Sequence, residues 1–232
     1  MSKFRLEMEE AGVGLAVLAA RISGDRGTTS NASVKAIVEA DPKRFIGLAA
    51  INPANRRQAI SDIDRCMKDG FRGVNIEPGA YPSPVYPDDR ALYPIYAHCE
   101  DREVPVVIMA GGNGGPDLSY SDPKHIDRVA ADFPDLTIVV AHGGWPWVHQ
   151  ILHVAYRRAN VYLSPDMYLF NMPGMADYIS AAGGFLQDRF IYGSSYPSAP
   201  LLPYAKWFRT LGFEPSILEK LVYRNAARVL RI

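Results

Sequence analysis

The sequence predicts an α/β fold: a TIM-like (β/α)8 barrel without its first strand, in a single domain over residues 1–232. Two observations predict this fold class. Short apolar runs bounded by Gly, Pro or Asn alternate with amphipathic stretches, which is typical of βα units around a parallel sheet. The apolar runs are continuous rather than alternating, as expected of strands covered on both faces. A length of 232 residues also suits one undivided barrel domain.

Seven strands and eight helices are predicted in alternation. The strands cover 14–20, 44–52, 72–78, 104–111, 136–143, 160–166 and 189–195. The helices cover 1–11, 31–40, 55–69, 91–103, 122–133, 147–158, 175–182 and 216–230. Asn31 or Ser33 is the expected N-cap of the second helix, and Gly70 is the expected residue just past the third.

The strand count indicates an incomplete ring. A closed barrel of this type has eight strands, each followed by a helix, whereas this chain begins with a helix and has seven predicted strands. The simplest interpretation is that 1–11 follows a first strand that the chain lacks; the alternative is an open seven-stranded doubly wound sheet. We expect the strand edges left without a partner to be covered by a loop, by 1–11 or by another subunit.

Composition excludes several classes of partner. Lys+Arg and Asp+Glu both number 25, so the net charge is zero, which predicts neither nucleic acid nor a membrane as partner. A protein near its isoelectric point tends to self-associate, so a homo-oligomer is possible. Cys66 and Cys99 lie in predicted helices without metal spacing, which indicates reduced thiols and a cytoplasmic location.

Seven segments carry a resemblance to one family. They are 41–53 (DPKRFIGLAAINP), 70–79 (GFRGVNIEPG), 88–108 (DDRALYPIYAHCEDREVPVVI), 134–147 (PDLTIVVAHGGWPW), 160–168 (NVYLSPDMY), 188–197 (DRFIYGSSYP) and 223–230 (YRNAARVL). In this order they resemble the amidohydrolase-2 family of metal-dependent hydrolases and decarboxylases. The resemblance implies a barrel with its active site at the C-terminal ends of the strands.

The resemblance also implies a divalent metal, often zinc. The family's ligands are a His-x-His on the first strand, a His ending the fifth and an Asp ending the eighth, and a His ending the sixth transfers protons. In this chain Met109 stands at the fifth-strand position, Ser195 at the eighth, and no His-x-His occurs. Only His142 matches, and one imidazole is too few for zinc. We therefore expect no cofactor, with zinc only if a missing N-terminal His-x-His segment is restored.

Strand ends supply the remaining candidate residues. Asp166 and Ser195 end the last two predicted strands, so a catalytic Ser195–His142–Asp166 arrangement is conceivable, although the sequence lacks a nucleophile elbow. The expected substrate-binding residues are Asn75, Glu77, Met109, Trp145, Tyr168 and Tyr196. Each has a structural alternative, since polar rim residues and aromatic seals are common at barrel mouths.

Three functions remain open from the sequence. The favoured hypothesis is a hydrolase or decarboxylase of a small cyclic or aromatic carboxylate, with His142 as the proton-transfer residue and an atypical or absent metal site. The second is a catalytically inactive barrel that acts as a binding or subunit protein. The third is a metal-free serine hydrolase with Ser195 as nucleophile.

Overall fold

Six parallel strands in chain order form one sheet that curls into a partial barrel. The computed structural model describes residues 1–24 and 27–232. The strands are β1 (Ala16–Ala19), β2 (Phe45–Ala50), β3 (Val74–Ile76), β4 (Val106–Met109), β5 (Ile138–Ala141) and β6 (Val161–Ser164). Each strand pairs in parallel with the next along the chain. The predicted fold class, an α/β barrel with an incomplete ring, is confirmed.

The seventh predicted strand is reduced to a single bridge. Leu163 of β6 pairs with Phe190: its amide donates to the Arg189 carbonyl, and the Ile191 amide donates back to the Leu163 carbonyl, both at 2.9 Å. The segment thus occupies a strand's place without forming a ladder. Beyond Phe190 the chain borders a cavity, so in the described part of the molecule its far edge has no strand to extend the pairing.

Helices surround the sheet, and nearly all of them match the predicted positions. They are α1 (Ser2–Ala11), α2 (Asn31–Ala40), α3 (Arg56–Lys68), α4 (Tyr93–Asp101), α5 (Pro123–Asp132), α6 (Val148–Arg157), α7 (Met175–Gly183), α8 (Leu201–Arg209), α9 (Pro215–Glu219) and α10 (Asn225–Leu230). No helix in residues 1–24 and 27–232 is long and apolar enough to cross a membrane.

Three helical details differ from the prediction. Ser30, rather than Asn31 or Ser33, caps α2, because its hydroxyl accepts the Ser33 amide at 3.1 Å. Helix α8 was not predicted, since Pro200 at its N-cap and Pro203 within its first turn mask the helical pattern. The predicted C-terminal helix is also interrupted between α9 and α10 by a π-helical turn.

The core has two layers, which accounts for the continuous apolar strands. In β5, Ile138 and Val140 face the helices, whereas Val139 faces the barrel interior with Leu48 of β2. Val229 and Leu230 of α10 pack in that interior cluster. Every residue of β5 is therefore buried, and neither face needs polar residues.

The outer edge of β1 remains open. The backbone amides of Ala16 and Ala20 donate to the carbonyls of Arg44 and Leu48, on the β2 side. The backbone amides of Val17 and Ala19 therefore point to the opposite, outer edge of β1. Within the described ranges no strand pairs with that outer edge. Helix α1 covers it only in part: Ala16 packs in a cluster with Met8, but Val17 is 44% exposed.

Candidate active site

A cavity of about 1350 Å³ occupies the barrel interior and opens along the gap in the ring. Its walls include β1 on one side of the gap and Ile191 to Tyr196 on the other, because no strand fills the space between them in the described residues. At the C-terminal ends of the strands it is lined by polar side chains, including His142 and Ser195. The volume is large enough for a substrate of drug size.

His142 and Asp166 form the central polar pair. The imidazole Nδ1 lies 2.8 Å from Oδ2 and 3.1 Å from Oδ1 of Asp166, and the His142 amide also donates to Oδ2 at 2.9 Å. The Asp166 side chain is buried, whereas a fifth of the His142 side chain is exposed on the cavity wall. Because Nδ1–H donates to the carboxylate, the other ring nitrogen, Nε2, is left for a substrate.

Three residues of this site adopt a backbone conformation that L-residues rarely accept. The φ angles are 64° at His142, 46° at Asp166 and 53° at Ser195, all in the left-handed region. Each such residue costs about 1–3 kcal/mol, and such strain clusters where function requires it. The positions of these residues are thus maintained by their surroundings.

Two buried tyrosines hold the backbone of the same loops. Tyr178 of α7 donates to the Gly143 carbonyl at 2.9 Å, and Tyr204 of α8 donates to the Asp166 carbonyl at 2.8 Å. Burial raises the pKa of both hydroxyls well above the usual value, so they stay protonated donors at neutral pH. Helix α8, which the sequence did not predict, therefore supports the candidate site.

Tyr168 shapes the wall beside His142. Its ring stacks on Trp145, with centroids 5.1 Å apart and an interplanar angle of 15°, and meets the His142 ring edge-on at 5.3 Å. Gly112 is pressed against it, since a Cβ there would lie 1.8 Å from the Tyr168 hydroxyl oxygen. The Trp145 indole donates to the Pro173 carbonyl at 3.1 Å, which fixes the stack from outside.

Six of the nine candidate residues line the cavity. These are His142, Ser195, Glu77, Met109, Tyr168 and Tyr196, whereas Asp166, Asn75 and Trp145 lie behind the wall. Asp166 and Trp145 contact lining residues, as described. The Tyr196 hydroxyl donates to Glu7 at 3.2 Å and its ring stacks on Phe4, so Tyr196 is also tied to α1.

Asn75 and Glu77 form a second polar group at the ends of β1 and β3. The Asn75 side-chain amide nitrogen, Nδ2, donates to the Ala20 carbonyl at 2.9 Å and to Glu77 Oε1 at 3.1 Å. The other Glu77 oxygen accepts from Arg21 at 2.6 Å. Arg21, which also lines the cavity, was missed from the sequence, although a cation directly after the strand 14–20 was a usable signal.

The residues at the family's metal-ligand positions do not fit a divalent ion. They offer a thioether at Met109 and a hydroxyl at Ser195, neither of which is an imidazole, a thiolate or a carboxylate. Zinc takes imidazole, thiolate or carboxylate ligands, and manganese prefers oxygen ligands such as carboxylates. Within the described ranges no group of three or more His, Cys, Asp or Glu residues is placed to hold a metal.

Ser195 lacks the contact that a serine nucleophile needs. Its side chain lines the cavity, but no hydrogen bond joins it to His142 among the described residues. In a Ser-His-Asp triad the base is within hydrogen-bond reach of the hydroxyl. The arrangement brings the histidine and the aspartate together and leaves the serine apart.

Comparison with solved structures supports the barrel. An uncharacterised TIM-barrel protein of Bordetella bronchiseptica is 48% identical, with a TM-score of 0.96, and the match covers 100% of this chain and 82% of that one. A dihydroxybenzoic acid decarboxylase of a Polaromonas species, with bound manganese and the inhibitor 2-nitroresorcinol, has a TM-score of 0.79. At 18% identity over 99% of this chain and 85% of that one, this second match shows the fold alone.

Sequence comparison gives the family. A 2-keto-4-carboxy-3-hexenedioate hydratase of a Sphingobium species is 28% identical, over 49% of this chain and only 39% of the hydratase's own length. The family model described as "Amidohydrolase" (amidohydrolase-2) matches residues 7–232, which is nearly the whole chain. The chain therefore belongs to the amidohydrolase-2 family.

Proposed function

We propose that this protein is an enzyme that acts on a small cyclic or aromatic carboxylate by transferring a proton at His142. The His142–Asp166 pair is the observation that carries the proposal. A buried carboxylate orients an imidazole on the wall of a large cavity, and both residues are held in strained backbone. Such a pair is how proteins prepare a histidine for acid–base catalysis.

The hydrogen bond to Asp166 assigns the proton-carrying atom. With Nδ1–H donating to the carboxylate, Nε2 holds the lone pair in the neutral ring and a proton in the cation. As a cation, His142 protonates the carbon that bears a departing carboxylate. The C–C bond then breaks, carbon dioxide leaves, and the imidazole returns to neutral. As a neutral base, the same nitrogen takes a proton from water that attacks a lactone carbonyl or adds to a double bond. The imidazolium then gives this proton to the ring oxygen that leaves as the lactone C–O bond breaks, or to the neighbouring carbon of the former double bond, and returns to neutral.

The nature of the cavity and of the relatives supports a small carboxylate as substrate. Tyr168, backed by Trp145, presents an aromatic surface next to His142, which suits a flat molecule. The names of the hydratase and the decarboxylase reported above both refer to small carboxylates. No step is assigned to a metal, because the donors at the family's ligand positions do not fit one.

The proposal is tested by His142→Gln, which keeps a polar side chain but removes the titratable ring. Turnover is measured for a panel of hydroxybenzoates, lactone carboxylates and unsaturated keto-dicarboxylates. We expect kcat/KM to fall by about 100-fold or more for any substrate that the wild type converts. The matched control is His149→Gln on α6, because the His149 side chain is 80% exposed and lies outside the cavity lining.

Three results would contradict the proposal or favour an alternative. Unchanged kcat/KM in His142→Gln would exclude proton transfer by this residue. Loss of turnover in Ser195→Ala as large as in His142→Gln would favour the serine hydrolase. Saturable carboxylate binding without turnover of any panel member would favour the inactive barrel. Separately, stoichiometric zinc or manganese in the purified protein would contradict the conclusion that the residues at the family's ligand positions do not fit a metal.

A further inference from the structure

Arg21 is the cation that the fold places at the functional end of the cavity. Four cationic side chains of the described residues line the cavity: Lys3, Arg21, Lys43 and Arg209. Lys43 precedes β2 and Arg209 donates to the Ala11 carbonyl ahead of β1, so both lie at the opposite end of the strands. The Lys3 side chain is 86% exposed on α1. Arg21 alone among the four directly follows a strand's C-terminal end.

The backbone of Arg21 is held in place. Its amide donates to the Thr29 carbonyl at 2.9 Å, and the Thr29 amide donates back to the Arg21 carbonyl at 3.0 Å. This antiparallel bridge anchors the residue directly beyond β1. The guanidinium therefore extends from a fixed point on the cavity wall.

The Arg21 side chain is oriented by a buried acidic residue and keeps donors for a ligand. Nη2 donates to Glu77 at 2.6 Å, and the Glu77 side chain is 9% exposed whereas that of Arg21 is 32% exposed. The second Glu77 oxygen accepts from the Asn75 side chain, so each oxygen of the carboxylate accepts one hydrogen bond. A guanidinium carries five N–H donors in a planar fork that matches a carboxylate, and Glu77 is its one side-chain acceptor among the described residues. In the described part of the chain the Nε–H of Arg21 is buried without a partner, so the donors left for a ligand are the Nη hydrogens that Glu77 does not take.

Sheet order places Arg21 and His142 on opposite walls. Arg21 follows β1 and His142 follows β5, and three strands of the curled sheet lie between these two. In a ring with positions for eight strands, four steps are half a turn. A ligand that contacts both residues must span the cavity mouth.

We propose that Arg21, positioned by Glu77 and Asn75, binds a carboxylate of the substrate opposite His142. The substrate would then carry an anionic group separated from the atom that reacts, as in an aromatic or unsaturated dicarboxylate. This inference rests on the proposed function for the role of His142. The anion site itself depends only on Arg21, so the two are testable apart.

The test measures binding of benzoate and of neutral benzamide by calorimetry at low salt. Arg21→Gln is expected to weaken benzoate binding by about 10-fold or more, because hydrogen bonds to charged groups are lost, and to leave benzamide unaffected. Arg21→Lys keeps the charge but not the planar fork, so its benzoate affinity should lie between those of wild type and Arg21→Gln. Lys43→Gln is the matched control, since Lys43 lines the cavity at its other end.

Arg21→Gln leaves the Glu77 carboxylate without its cation and is at risk of misfolding. The double variant Arg21→Gln/Glu77→Gln removes both charges, and its fold is checked by circular dichroism before the same titration. Benzoate affinity equal to wild type in either folded variant, no saturable benzoate binding by wild type, or an equal loss of benzamide binding would overturn the inference. In His142→Gln benzoate binding should persist, so failure of the proposed chemistry would not be mistaken for failure of this site.

Discussion

The contact between Gly112 and Tyr168 allows a sharp test of the cavity wall. Gly112 has a φ of 63°, and a Cβ there would lie 1.8 Å from the hydroxyl oxygen and 2.2 Å from Cζ of Tyr168. Non-bonded heavy atoms do not approach so closely, so Gly112→Ala must displace the Tyr168 ring. The displaced ring would lose its stack on Trp145 and its edge contact with His142.

The expected loss of unfolding free energy in Gly112→Ala has two parts. The left-handed backbone costs alanine about 1–2 kcal/mol relative to glycine, and each lost aromatic contact costs roughly 0.5–1.5 kcal/mol beyond its buried area. Gly212→Ala is the matched control, because Gly212 has a φ of 78° and no atom within 4 Å of the added methyl group. Gly112→Ala should therefore lower the free energy of unfolding by about 1–3 kcal/mol more than Gly212→Ala.

The assay is urea unfolding of both variants and of wild type, followed by a double-mutant cycle with Tyr168→Ala. In the Tyr168→Ala background the ring is gone, so Gly112→Ala should cost no more than Gly212→Ala. Equal destabilisation by the two glycine substitutions in the wild-type background would refute the packing of Tyr168 against this loop.

Two further predictions concern stability. First, because the Val17 amide faces the open edge of β1, we expect it to exchange with solvent faster than the Ala20 amide, which donates to β2; equal protection by NMR-detected exchange would show that something covers this edge. Second, burial raises the pKa of Asp88, but the hydrogen bond from Arg128 and nearby positive charge outweigh it and lower the pKa below its usual value. The lowered pKa contributes stability above about pH 4 that is lost as pH falls further. The deficit of Asp88→Asn in unfolding free energy should therefore shrink below that pH, and a deficit constant from pH 7 to pH 3 would contradict this.

Tertiary context accounts for the elements that the sequence misjudged. The segment 189–195 has a strand's composition, but among the described residues its pairing with β6 is limited to the single bridge between Leu163 and Phe190. The predicted single C-terminal helix is interrupted by a π-helical turn just before Asn225. The Asn225 amide donates to the Gln187 and Phe190 carbonyls at 2.9 and 2.8 Å, which anchors the bridging segment. Both effects depend on contacts between distant residues, which local propensity does not include.

The sequence by itself determined the class of fold, the family and the position of His142 at a strand end. Continuous apolar runs require cover on both faces, and this requirement leaves few architectures for alternating strands and helices. Gly70 is a local example: it adopts a φ of 89° directly after the C-cap of α3, as its residue type predicted. Features of this kind depend on residues near one another in the chain.

Only the tertiary structure decided which side chains meet. His142 and Asp166 are 24 residues apart, whereas Arg21 and Glu77 are 56 apart. Each pair forms because parallel strands return the chain to the same end of the barrel. His and Asp accept left-handed backbone more often than most residue types, but that His142 and Asp166 adopt it here is imposed by the packing around them.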